Sequence, residues 1–141
     1  MALIDLRYVK IYEKLEEVID EGFTLRENIE EDCLNVSRVV ERLKLSVEDK
    51  MEAVIDFQSL AVDMENEKDR FLAQKSERKH FSKFLDELES LIKIGRVWKF
   101  EDYRCIDWIK RVVDILVEIK ELFEGRSIVM NKSVISKESL N

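Results

Sequence analysis

Between Gly22 and Gly95 this chain runs 72 residues without a glycine or a proline. No proline occurs anywhere in its 141 residues, and Gly125 is the only other glycine. Average usage would supply about 7 prolines and about 10 glycines at this length. Hairpins and Greek keys draw their tight turns from Gly, Pro, Asn and Asp, so folds rich in such turns are excluded. Long helices remain. Phosphate-cradling loops are excluded on the same ground, because Walker and dinucleotide motifs need clustered glycines.

The apolar periodicity places those helices. Tyr8, Ile11, Leu15 and Val18 continue a stripe begun at Ile4, at alternating steps of four and three, which predicts a first helix over residues 3–21. Gly22 follows where a left-handed closing residue is expected, and Thr24 with Glu27 spells a capping box for the next helix. Ile29, Cys33, Val36, Val40, Leu43 and Val47 keep the same alternation, a coiled-coil-like repeat. Lys50 then falls where an apolar residue is due, and Ser46 with Asp49 suggests a turn near Leu45–Ser46.

A third helix follows with Val54, Phe57, Ala61, Met64 and Phe71. A fourth, capped by Ser76 and closed by Gly95, carries Phe81, Phe84, Leu85, Leu88, Leu91 and Ile92. The last spans residues 101–124, with Tyr103, Ile106, Ile109, Val113, Leu116 and Phe123 in one row and Trp108, Val112, Ile119 and Leu122 in the next. The fold expected is all-α: an elongated antiparallel helical bundle of four or five helices with coiled-coil-like packing. One domain spans residues 1–125, and residues 126–141 read as a flexible C-terminal tail.

Charged residues make up 39% of the chain, with a net charge of −7. Residues 1–66 hold 8 basic and 17 acidic side chains; residues 67–141 hold 16 and 14. No apolar run reaches the roughly 18 residues of a membrane span, and residues 1–14 lack the uncharged core of a signal peptide. A cytoplasmic protein is expected, its Cys33 and Cys105 free thiols packed as small hydrophobes.

Candidate chemistry is sparse. Glu77 and His80 have the spacing of a helical metal pair, but His80 is the only histidine and stands among bases. Glu13, Glu16, Glu17 and Asp20 lie at helical spacings, the kind of carboxylate cluster that holds magnesium in all-helical nucleotide hydrolases. No glycine-flanked nucleophilic serine exists. Neither a cofactor nor a catalytic residue is assigned.

Two segments are candidates for partner binding. Lys68, Arg70, Lys75, Arg78 and Lys79 form the densest basic stretch, over residues 68–83. Trp98 and Phe100 stand between helices rather than on a stripe, where aromatic anchors of an interface are placed.

The function expected is therefore a non-enzymatic helical adaptor, assembly subunit or regulator acting through protein–protein contacts, as a homo-oligomer or within a larger complex. The stripes of the second and third helices are the means by which separate chains pair. The alternatives are a small magnesium-dependent nucleotide hydrolase using Glu13, Glu16, Glu17 and Asp20, and a bundle bound to an anionic membrane or nucleic acid through residues 68–83. The net charge of −7 opposes the latter.

Overall fold

The computed structural model describes residues 6–63 and 66–140, with side chains for 6–56, 66–69 and 82–125. The chain is an all-α bundle of five helices: α1 (Leu6–Glu27), α2 (Cys33–Leu43), α3 (Asp49–Asp63), α4 (Glu67–Val97) and α5 (Tyr103–Leu140). A π turn, Lys44–Glu48, joins α2 to α3, so those two helices act as one rod and the bundle has four.

The pairings set the topology. Lys14 meets Glu118 and Glu21 meets Arg111, so α1 and α5 run antiparallel. Phe84 packs on Phe123 while Gly95 faces Val113, so α4 opposes α5 as well. Gly22 lies against Val40, which sets α2 against α1, and Lys50 pairs with Glu87 between α3 and α4. This is up-down-up-down order with the first and last rods in contact.

The stripe residues whose side chains are described form the core or pack against it, except Tyr103, which is 73% exposed. Tyr8, Ile11, Leu15 and Val18 of α1 are buried, as are Val36, Val40, Leu43 and Val47 of the second rod. Phe84, Leu88, Leu91 and Ile92 of α4 meet Trp108, Ile109, Val112, Leu116 and Ile119 of α5 in the same cluster. Phe123 receives Tyr8 at 5.1 Å and Phe84 at 4.9 Å, both edge to face, so its ring ties three rods together.

The chain breaks fall elsewhere than the glycines suggest. No glycine among the described residues has a positive φ; Gly22, Gly95 and Gly125 all lie inside helices. Thr24 is in the body of α1, and the reversal after α1 occupies residues 28–32, with Ile29 buried in the loop rather than in a helix. Its last residue, Asp32, is the only non-glycine with positive φ (64°) among the described residues, a conformation aspartate tolerates through local hydrogen bonding.

The turn expected at Leu45–Ser46 is absent. Backbone angles stay right-handed through the π turn, from φ −66° at Lys44 to φ −60° at Asp49. A π turn spends one extra residue per hydrogen-bonded ring, so the stripe resumes at Met51, fully buried, instead of residue 50. Lys50 is thereby released to pair with Glu87 at 2.8 Å.

Helix α4 starts at Asn66, whose side chain accepts from the Lys68 amide at 2.9 Å. Ser76 therefore stands within the helix rather than at its start. Helix α5 continues through Gly125 to Leu140; the side chains of the expected tail lie outside the described residues.

Candidate partner-binding surface

Helix α4 ends at Val97, and the Trp98 amide donates to the Ile94 carbonyl at 2.9 Å. Extended angles at Trp98 (φ −64°, ψ 125°) then turn the chain into a short link that reaches α5 at Tyr103. Asp102 caps α5, its Oδ1 accepting from the Arg104 amide at 2.8 Å. Its Oδ2 also takes Nη2 of Arg104 at 2.9 Å. That hydrogen bond holds the Asp102 carboxyl below the usual range and the guanidinium above its own.

A second loop holds this link in place. Asp32 Oδ2 accepts from the amides of Glu101 and Asp102 at 2.8 and 2.9 Å. These are amides that the start of α5 leaves without helical partners. Arg104 Nη2 also reaches the Asn28 carbonyl at 3.5 Å. Beside the latch, a hydrogen bond with Glu101, and then its charge, push the Glu31 carboxyl upward.

Beneath the link lies a groove of about 310 Å³. Trp98, Phe100, Ile106, Ile109 and Val113 form its apolar lining, together with Gly95. The two aromatic rings stand 6.1 Å apart and tilted by 41°. Phe100 is mostly core at 8% exposed, whereas Trp98 is half-buried. The neighbouring Val97 is 76% exposed and Tyr103 73% exposed. Tyr103 stands three and seven residues before Ile106 and Lys110, on the same face of α5; it is exposed, although the apolar row it shares with Ile106 and Ile109 predicts a core position.

The remaining candidates are dispersed. Lys68 is exposed in the first turn of α4, and the side chains of Arg70, Lys75, Arg78 and Lys79, like Glu77 and His80, lie outside the described residues. Glu13, Glu16, Glu17 and Asp20 do not converge. Glu17 and Asp20 line the side of α1 that faces α5, Glu13 is exposed, and Glu16 acts on Tyr12 and Glu48.

Tyr12 is pushed up to about 12, first by burial and then by Glu16, Glu48, Glu52 and Asp49, so its phenol stays protonated. Burial, followed by the Glu16 charge, raises Glu48. No three His, Cys, Asp or Glu side chains among the described residues form a metal-holding group. The thiols are free, and burial pushes Cys105 up to about 11.

Sequence reasoning finds Trp98 and Phe100 because they interrupt the helical pattern. It misses Val97 and Tyr103, whose apolar types suit a core stripe, and Asp32, whose role depends on a loop 69 residues away. No described helix is long and apolar enough to cross a membrane. Set against protein-family models, curated proteins and solved structures, the chain matches none.

Proposed function

We propose that this bundle is a non-enzymatic adaptor, assembly subunit or regulator that binds a protein partner at the corner between α4 and α5. One observation carries the reading. An apolar groove holds a half-buried tryptophan, and two residues that adjoin its lining along the chain, Val97 between Arg96 and Trp98 and Tyr103 one turn before Ile106, are 76% and 73% exposed. Exposed apolar residues are ordinary when scattered singly; grouped around a concave aromatic lining they mark interaction surfaces.

Over residues 36–51 the coiled-coil-like stripe does not supply this surface, and the side chains of Phe57, Ala61, Met64 and Phe71 on the third-helix stripe lie outside the described residues. Val36, Val40, Leu43, Val47 and Met51 are fully or almost fully buried against the chain's own helices, so they are not free to pair with another chain. The partner surface moves from the second rod to the α4–α5 corner.

The test compares the intact chain with a V97D/Y103D variant as bait in the native host. Both positions are exposed, so the variant keeps its helical circular dichroism and its Tm. Loss of co-purifying protein with V97D/Y103D is expected. Undiminished recovery of the same proteins overturns the reading.

A further inference from the structure

The geometry points to an acidic amphipathic peptide segment as the occupant of the α4–α5 groove: a bulky apolar side chain set among aspartates and glutamates. This rests on the reading of that corner as a docking surface and names its partner chemically. The apolar lining asks for the anchor. A volume of about 310 Å³ is at the small end of ligand sites, enough for one large side chain or two medium ones. At Gly95 a Cβ would stand 2.7 Å from Val113 Cγ2, so the glycine lets α4 and α5 approach closely where they form the groove.

The charges around the groove specify the rest. Arg96 and Lys110 line it, and Lys99 stands exposed in the link between its two aromatic residues. Among the described residues none of these three cations has a carboxylate within ion-pair distance. Asp114 is the single acid in the lining. In a chain of net charge −7, this groove is a local cationic exception. Rim charges of this kind steer a partner of opposite sign and reject one of like sign, while the buried anchor supplies most of the affinity.

A peptide fits better than an anionic bilayer. Phe100 is turned inward at 8% exposed and Trp98 is half-buried, so the aromatics line a cleft instead of projecting as a wedge. Glu101, exposed between Lys99 and Tyr103, would be pressed against a flat anionic surface. A narrow segment lying in the groove passes it.

An unbiased phage-displayed peptide library selected on the intact chain tests this. Enriched peptides are synthesised with a fluorescein label and titrated by anisotropy against the wild type, V97D/Y103D and R96E/K110E. Arg96 and Lys110 are exposed, so the double reversal should melt with the wild type. Enrichment of acidic peptides with a Leu, Phe or Trp anchor is expected, with about tenfold or greater weakening in R96E/K110E and at high salt.

Neutral or basic peptides that bind R96E/K110E as well as the wild type overturn the acidic assignment. They leave the docking surface standing if V97D/Y103D abolishes them. If V97D/Y103D weakens no selected peptide, both readings fall. Co-sedimentation with phosphatidylserine vesicles, lost in R96E/K110E and unaccompanied by peptide binding, replaces the peptide with a membrane.

Discussion

Among the described residues, helix α5 borders a groove with each of α1 and α4, and the two differ in what their charges are doing. The groove against α1 is the larger, about 840 Å³ against about 310 Å³. Its arginines are already engaged: Arg111 pairs with Glu21, and Arg104 with Asp102 and the Asn28 carbonyl. The floor is Trp108, 1% exposed, with its indole N–H donated to the Val18 carbonyl at 2.9 Å. In the groove against α4 the cations have no ion pair among the described residues, and Val97 and Tyr103, which adjoin its lining along the chain, stand exposed. Volume is thus a poor guide to readiness for a partner. Interaction capacity not used within the chain is the better one.

Glycine substitutions divide the two grooves most sharply. A Cβ at Gly22 would stand 2.5 Å from Val40 Cγ2 and 2.6 Å from Trp108 Cζ2, and a buried indole cannot step aside. G22A should therefore lose about 2 kcal/mol by chemical denaturation, the usual scale of core overpacking. At Gly95 the one close atom is a methyl of half-buried Val113, so G95A should cost less than about 1 kcal/mol and show mainly as weaker docking. At Gly125 a Cβ meets nothing within 4 Å, and G125A should gain about 0.5–1 kcal/mol from helix propensity. Equal losses at Gly22 and Gly95 would erase the contrast.

Asp32 comes next, because it holds only the α4–α5 side. D32A forfeits two hydrogen bonds to backbone amides and places alanine at φ 64°, together about 2 kcal/mol. D32N keeps an acceptor and tolerates that backbone, so it should retain most of the stability. Hydrogen exchange should quicken around residues 98–102 in D32A and stay unchanged along the α1–α5 contact.

Breaking an internal pair should make the larger groove resemble the smaller. E21Q frees Arg111 at a stability change of about 0.5 kcal/mol, as for a partly exposed ion pair. It should give the α1–α5 groove a measurable affinity for the same acidic peptides. No gain in anisotropy at any concentration would argue that an unpaired cation is insufficient without exposed apolar neighbours.

The smallest effect is on pH dependence, away from both grooves. Glu48 is raised by burial and by Glu16, so the folded state holds its proton more tightly than the unfolded chain. Stability then falls as pH climbs from the ordinary carboxylate range through the raised folded value, and is level beyond it. E48Q should flatten that slope and gain about 0.2–0.5 kcal/mol at neutral pH, the scale of relieving its like-charged neighbour Glu52 one turn on. Urea titrations at mildly acid and neutral pH measure both.

The core was legible in the sequence because helical periodicity is local. Residues three and four apart share a face wherever the helix packs, so Tyr8, Leu15, Val40, Leu88 and Leu116 could be assigned inward without knowing their partners. The break between α4 and α5 was legible, but those after α1 and before α4 were not, since the signals used for them have two meanings. Glycine closes helices and also lets them approach; at Gly22 and Gly95 only the neighbours Val40, Trp108 and Val113 decide which. Ser46 with Asp49 resembles a cap, yet the π turn keeps the chain helical and restores the stripe at Met51.

The candidate site divides the same way. The break in the pattern marks Trp98 and Phe100, whereas the exposure of Val97 and Tyr103 depends on what the α4–α5 corner leaves uncovered. Near-absence of proline and glycine thus determined by itself that the chain is helical, because the propensity to continue a helix is carried by each residue. Where rods touch, which glycine is a crossing point and which apolar residues stay in water are properties of pairs of surfaces. Only the tertiary structure decided those, because burial is a relation between residues far apart in the chain.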